Sequence, residues 1–374
     1  MIRHVRPAIS LGQAKVVGVL QSTRRLDQAI VLPLRNQAGL TSLLSRLYDP
    51  SSPDYRHFLS VAEFTEQFAP TPEDYRAVVD FAEANGFTVT GSPANRLVVP
   101  ISGTVEQAQR AFYVTMKVYR HPTEERDFYS PDREPSLELK TPVAHIAGLN
   151  NYSIPHPMFE KRANARTAIG TSVLGSGPRG SYLGSDMRAA YYGGTALTGT
   201  GQVVGLMEFD GYNFGDVDLT FSNAGQSWSV PVNNVLLDGA NGGACQYISP
   251  CSDAEEVLDI VQAIGMAPEL SLVRVYIGSS DANIFNTMAS EDIARQLSVS
   301  WTWVPEDVST DDIFFQEFAA QGQSVFVASG DYGAYDPSID YYFPAEEAWV
   351  TAAGGTNLVT NGARGKWSSE TAWS

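Results

Sequence analysis

From residue 202 onward the chain repeats one pattern. Short apolar runs at 202–209, 271–277, 297–301, 324–328 and 349–353 alternate with helical stretches at 253–266, about 283–295 and 310–321. A strand apolar on both faces has to be covered on both sides. The intervening helices supply the cover, so the pattern predicts an α/β unit: a parallel sheet with helices on both faces. Ligands of such sheets gather beyond the C-terminal ends of the strands. The residues that end these runs are therefore the ones to inspect for chemistry.

The first part of the chain reads differently. Residues 28–34 predict a strand, with Pro33 placing it at an edge. Leu40, Leu43, Leu44 and Leu47 recur at helical spacing. Ser60 to Phe68 predicts a short helix, and Thr71-Pro72-Glu73-Asp74 caps a longer one that Gly86 ends. Strands follow at 87–91, 96–101 and 114–120, with a helix at about 104–113. The mixture predicts a small α+β sandwich of ferredoxin-like type. Between Phe159 and Tyr182 the apolar periodicity disappears among Lys161, Arg162, Arg166, Arg179 and small residues, which reads as an exposed linker open to proteolysis. The domain plan is thus 1–158, a linker at 159–182, and 183–374.

Charge follows the same division. Residues 1–181 carry a net charge of +3, and residues 182–374 carry −20, within a total of −17. So acidic a second half repels phosphate and excludes nucleic acid as its partner. It also points to work in acid, where carboxylate protonation relieves self-repulsion. The basic first half is an electrostatic partner for it. No apolar run reaches the length of a membrane span, and the first thirty residues lack the apolar core of an export signal. An export signal is expected outside this numbering or lost from its start.

All five histidines (His4, His57, His121, His145 and His156) precede residue 182. The second half therefore has no imidazole for a Ser-His-Asp or Cys-His mechanism, and none for a zinc site. A general base there must be a carboxylate or Lys366. Cys245 and Cys251 either close a short disulfide loop, as an exported protein would allow, or stand as two unpaired thiols.

Two acidic positions stand out. Glu255 and Asp259 lie four apart at the start of the 253–266 helix, so their carboxyls share a face. The bland alternative is a capping box from Ser252 to Glu255, with Asp259 solvated. Asp331 follows a hydrophobic strand in Ser324-Val-Phe-Val-Ala-Ser-Gly-Asp331, where the alternative is an ordinary turn aspartate. Glu208 ends the first apolar run at a position where a buried strand prefers an apolar side chain. Ser300-Trp301-Thr302-Trp303 ends another run, and its indoles could equally be core or rim.

Taken together these segments resemble the sedolisin family of serine-carboxyl peptidases. Asp54-Tyr-Arg-His-Phe-Leu59, Phe64-Thr-Glu-Gln-Phe-Ala-Pro70, Asn95-Arg-Leu-Val-Val-Pro100 and Val105-Glu-Gln-Ala-Gln109 resemble a pro-kumamolisin-type activation domain. Glu255 and Asp259 resemble the family's catalytic Glu-x-x-x-Asp helix, Ser329-Gly330-Asp331 its oxyanion motif, and Ser298 to Trp301 its substrate strand. The resemblance implies a subtilisin-like fold in the second half. It implies that Glu255 is the general base, that Asp259 orients it, and that a protonated Asp331 stabilises the oxyanion. Glu208 and Trp301 would extend the hydrogen-bond network, and Ser300 would bind substrate.

It also implies a secreted, monomeric zymogen that acts on proteins or peptides in acid, with its own prodomain as inhibitor and chaperone. The family's nucleophilic serine lies in a Gly-Thr-Ser-Ala segment beyond the Gly354-Gly-Thr356 turn and the Trp367–Trp373 stretch. That segment is not in this chain, and Gly170-Thr-Ser172 lacks its context. The family's calcium site is likewise expected in the missing C-terminal part, so the sheet is expected to be incomplete and the chain inactive alone. The competing reading is a truncated relic or binding protein that keeps the fold without the nucleophile.

Overall fold

The computed structural model describes residues 3–158, 175–193, 196–247, 253–305, 307–331 and 343–373. In the first unit the strand Arg25–Val31 is followed by the helices Gln37–Leu47, Val61–Phe68 and Pro72–Ala84, the strands Thr88–Val89 and Val98–Thr104, the helix Val105–Phe112 and the strand His145–Ala147. These strands form a four-stranded antiparallel sheet with Arg25–Val31 paired on both sides, to Val98–Thr104 and to His145–Ala147. The order is that of a ferredoxin-like βαββαβ unit. The edge position expected from Pro33 is not found. The strand ends at Val31, so the proline lies beyond the ladder and costs it no hydrogen bond. A second sheet of three strands joins Lys15–Val19, Met116–Arg120 and Asp127–Pro131.

Local chemistry fixes the helix starts. Ser60 and Thr104 each form a capping box, with Glu63 and Gln107 returning to the cap backbone. Thr71 accepts from the Asp74 amide, and Pro72 takes the first helical position.

The second unit is built on a six-stranded parallel sheet, consistent with a subtilisin-like fold. Its spatial order is Val232–Leu236, Leu272–Ile277, Val203–Glu208, Gln296–Val299, Ser324–Ala328 and Val350–Ala353. The apolar run expected at 297–301 splits. The strand stops at Val299, and Trp301–Thr302 turns away to pair with His156–Pro157. Sequence periodicity missed Val232–Leu236, Phe214–Asn223, Gly184–Tyr191 and the hairpin of Thr356–Thr360 with Trp367–Ala372.

The two units share one core. Leu40, Leu44, Leu47, Phe64 and Phe68 pack in a single cluster with Phe285, Met288, Phe314, Phe315 and Phe318. Each buried phenylalanine there contributes about 2 kcal/mol of apolar burial. The helix Val308–Gln321 is buried continuously from Ile313 to Gln321. Hydrogen bonds cross to it from Leu59 N to Ala320 O (2.9 Å), from Tyr48 Oη to Ala319 O (2.9 Å) and from Asn95 Nδ2 to Glu317 Oε2 (2.9 Å). Arg3 pairs with Asp307 at 3.1 Å. Most of the linker expected at 159–182 lies outside the described residues; of its end, Pro178–Gly180 is a single 3-10 turn.

Candidate active site

The expected residues converge at the C-terminal edge of the parallel sheet. Glu208 is the last residue of its strand, Ser300 follows Val299, and Asp331 lies three residues past Ala328. The helix Ala254–Met266 begins at the same edge and contributes Glu255 and Asp259 from its first two turns.

The cap residue of the capping-box alternative for Glu255, Ser252, falls outside the described residues. Asp253 is the N-cap and makes no side-chain cap, and Glu255 is 4% exposed with its Oε2 unpartnered. The Asp259 carboxyl is not simply solvated. Its Oδ1 accepts from Ser300 Oγ at 2.9 Å, and its Oδ2 is buried. Behind this pair, Trp301 Nε1 donates to Glu208 Oε2 at 2.8 Å, with both residues at most 1% exposed. Phe209 holds the Trp301 indole edge-on, at 5.8 Å between ring centres.

Burial sets the protonation of this group. It pushes Glu255 up to about 8, with the Asp259 charge adding to it, Ser300 opposing and Asp331 contributing a smaller push. Asp259 is pushed by burial up to about 6, offset by hydrogen bonds from Ser300 and Glu208. Glu208 lies well above the carboxylate range, through burial first and then the nearby Asp259 and Glu256. Like charges so close in a dry setting cannot all ionise, so protons are shared among them.

Sequence reading passed over Glu256, which is also fully buried and pushed up to about 8 by burial. Its helical phase was the available signal: it lies three residues before Asp259, on the inward side of the helix.

The cleft is covered by the chain itself. His156–Pro157 lies antiparallel on Trp301–Thr302, Met158 N donates to Ser300 O at 2.9 Å, and Val304 N donates to Ser153 Oγ at 2.8 Å. Met158 is 5% exposed and runs past Gly330, where an added Cβ would meet its Cε at 2.7 Å. Gly330 has φ +95°, so glycine there serves both the turn and the close approach.

Cys245 is disulfide-bonded, and the chain's other cysteine, Cys251, lies outside the described residues. Gln246 and Tyr247, next to Cys245, donate their amides to Asp210 at 2.9 and 3.2 Å. For the calcium implied by the resemblance, no group of three or more His, Cys, Asp or Glu side chains among the described residues is arranged to hold a metal ion. No described helix is long and apolar enough to cross a membrane.

Comparison with known proteins bears on the same regions. Residues 12–152 match the family described as Pro-kumamolisin, activation domain. Xanthomonalisin of Xanthomonas sp. (strain T-22) is 28% identical over 415 aligned positions, covering 96% of this chain and 48% of that protein. Sedolisin of Pseudomonas sp. (strain 101) is 28% identical over 370 positions, covering 92% and 62%. Kumamolisin of Bacillus sp. (strain MN-32) is 27% identical over 377 positions, covering 96% and 67%. Among solved structures, Pseudomonas sedolisin, a serine-carboxyl proteinase complexed with pseudo-iodotyrostatin, aligns with 51% of this chain and 57% of its own, at 25% identity and a TM-score of 0.43. The chain spans about half to two thirds of the length of these curated relatives. Residues 12–152 thus match a pro-kumamolisin activation domain ahead of the α/β unit, and nearly the whole chain is similar to peptidases of the sedolisin, kumamolisin and xanthomonalisin kind.

Proposed function

We propose that this chain carries the activation domain and the acid–base machinery of a secreted, acid-acting serine peptidase that cleaves proteins or peptides. The observation that carries the reading is the seat of residues 156–158. They lie as an extended strand on Trp301–Thr302, as a peptide substrate would, with Met158 hydrogen-bonded to the residue whose hydroxyl holds Asp259.

In this reading the nucleophilic serine comes from sequence following residue 374 in the complete protein. Glu255 accepts the serine proton as the oxygen attacks the scissile carbonyl, and later returns it to the leaving amine. Asp259, fixed by Ser300, orients Glu255. Asp331 has to be protonated, because only the acid form can donate a hydrogen bond to the developing oxyanion. Water then displaces the acyl group by the same steps in reverse. Glu208 and Trp301 brace the pair from behind.

While residues 156–158 cover the cleft, burial keeps a proton on Glu255 and the base is idle. Withdrawal of that segment rehydrates the cleft and lets Glu255 and Asp259 share one proton.

The experiment is acidification. Incubated at about pH 4, where the −20 half loses charge, the complete protein is expected to cut itself between Phe159 and Tyr182. N-terminal sequencing of the product reads the position. A cut elsewhere, or none, would remove the zymogen reading.

A further inference from the structure

One turn of the activation domain holds the start of the segment that covers the cleft. Residues 121–126 join the strands Met116–Arg120 and Asp127–Pro131, and His121 N closes the turn on Arg126 O at 2.9 Å. From this turn Arg126 donates Nη1 to Asn151 O at 3.0 Å and Nη2 to Tyr152 O. The His121 ring lies 4.5 Å from the Tyr152 ring, which Phe128 meets edge-on at 5.0 Å. Directly afterwards Ser153 takes the Val304 amide, and His156–Pro157 lies on Trp301–Thr302. The grip on Asn151 and Tyr152 therefore sets where the cover begins.

His121 is 5% exposed, and the amides of Glu124 (3.1 Å) and Thr123 (3.4 Å) both donate to its Nδ1. Nδ1 is thus an acceptor, and the ring proton sits on Nε2. A second proton has to go on Nδ1, where it faces two N–H groups and takes their acceptor away. Thr123 Oγ1, at 3.4 Å, can turn to either role, but the two amides cannot. Glu124 offers the cation little. Its Oε1 is 3.2 Å from His121 Nε2 but off the line of a hydrogen bond, and Arg126 already holds the carboxylate at 2.6 and 3.3 Å.

The remaining charges near the turn are placed as follows. Arg120 and Asp127 pair with each other at 2.8 Å on the flanking strands. His156, on the cover, feels both Glu124 and Arg126. Arg6 lies over the Tyr152 ring at 5.6 Å, and Arg3 is paired with Asp307. A cavity of about 690 Å³, lined in part by His121, Glu124, Tyr152, His156, Trp303 and Asp307, lies between the turn and the peptidase unit and gives water a way in.

We propose that His121 is an acid-sensitive latch on the cleft cover. Its protonation breaks the 121–126 turn, frees Asn151 and Tyr152, and lets residues 153–158 leave Trp301–Thr302. Burial lowers the His121 imidazole below its usual range, with Glu124 opposing and Arg126 adding to the shift. The closed form therefore binds fewer protons than the open one. Its hold is complete above the ordinary histidine range and is lost as pH falls. The inference rests on the zymogen reading only for its consequence, a cleft uncovered in acid.

The test is amide hydrogen exchange at Met158, whose N–H is given to Ser300 O, in the complete protein carrying Glu255→Ala so that the chain stays whole. After correction for the intrinsic rate, protection at Met158 is expected to fall about tenfold or more between about pH 7 and about pH 5. His121→Asn supplies Oδ1 as an acceptor that does not titrate, so it should keep protection within about twofold over the same range. If His121→Asn does not fold, the imidazole 15N shifts of the unmutated ring decide. They should show the Nε2–H tautomer while Met158 is protected and the cation as its protection is lost. A Met158 amide that stays protected in acid, an equal fall in His121→Asn, a fall abolished by His156→Asn instead, or a His121 ring that stays neutral while Met158 opens overturns the proposal. Failure of the wild type to hydrolyse any peptide would sink the peptidase reading alone, because exchange needs no turnover.

Discussion

Asp331 and Glu255 are asked to do opposite things in acid, and substitution separates them. Glu255→Ala removes the base and should reduce kcat by about 10⁴-fold or more, with the fold retained. Asp331→Ala removes one oxyanion donor and should cost about 10²–10³-fold. Asp331→Asn keeps a donor, so it should retain more activity than Asp331→Ala. Steady-state kinetics across pH reads all three; full activity in Glu255→Ala or Asp331→Ala would remove that residue from the mechanism. Trp301→Phe keeps the ring but leaves Glu208 Oε2 without its donor, an expected loss of about 1–3 kcal/mol in thermal unfolding. An unchanged melting temperature would mean that the indole N–H is idle. The positions of these candidates were legible at the residue scale. The four-residue spacing of Glu255 and Asp259 and the position of Asp331 after an apolar strand are local patterns. Glu256 was not legible, because only the packing of its helix onto the sheet separates a buried glutamate from its solvated equivalent.

Among the elements, the strand His156–Pro157 with Met158 makes the site look closed. Met158→Pro removes the N–H given to Ser300 O. One lost hydrogen bond of about 1 kcal/mol corresponds to a several-fold weaker hold on the cleft. At a pH where the proform is latent, this variant is expected to hydrolyse a fluorogenic peptide several-fold faster than wild type, and equal rates would show that the contact does not restrain the cleft. No sequence pattern predicted this strand. Two residues of strand carry no periodicity, and the pairing partner Trp301–Thr302 is nearly 150 residues away. The parallel sheet was legible in its central strands, which are apolar on both faces. Its edge strand Val232–Leu236 was missed because Asn233 and Asn234 interrupt the run, as an exposed edge permits. Pro33 misled for the opposite reason: it lies two residues beyond the end of a strand that is central.

For the whole molecule, acid suits the fold as well as the chemistry. Besides Glu255 and Glu256, burial pushes Glu317 up to about 8 and Asp238 up to about 6. A carboxyl whose pKa is raised on folding stabilises the fold fully below its unfolded value and loses that contribution as pH rises through the folded value. Thermal stability should therefore be greatest in mild acid and fall between about pH 5 and 8. Glu317 sits under the activation domain, bonded to Asn95. Glu317→Gln keeps the contact without the ionisation, so it should raise the melting temperature at about pH 8 by several degrees and leave it unchanged at about pH 4. A pH-independent effect would place the contribution of Glu317 in packing alone. The charge division at residue 182 marked out a strongly acidic half. It could not say that the two halves meet through a shared apolar core with Asn95, Leu59 and Tyr48 bonded to one buried helix.

The central claim is that Glu255 and Asp259 activate a serine in a protein that processes itself in acid. Acidifying the complete protein and its Glu255→Ala variant side by side to about pH 4, then sequencing the new N-termini, tests it most directly. The wild type should be cut between Phe159 and Tyr182, and the variant should stay intact. Cleavage of both at equal rates, or of neither, would contradict it.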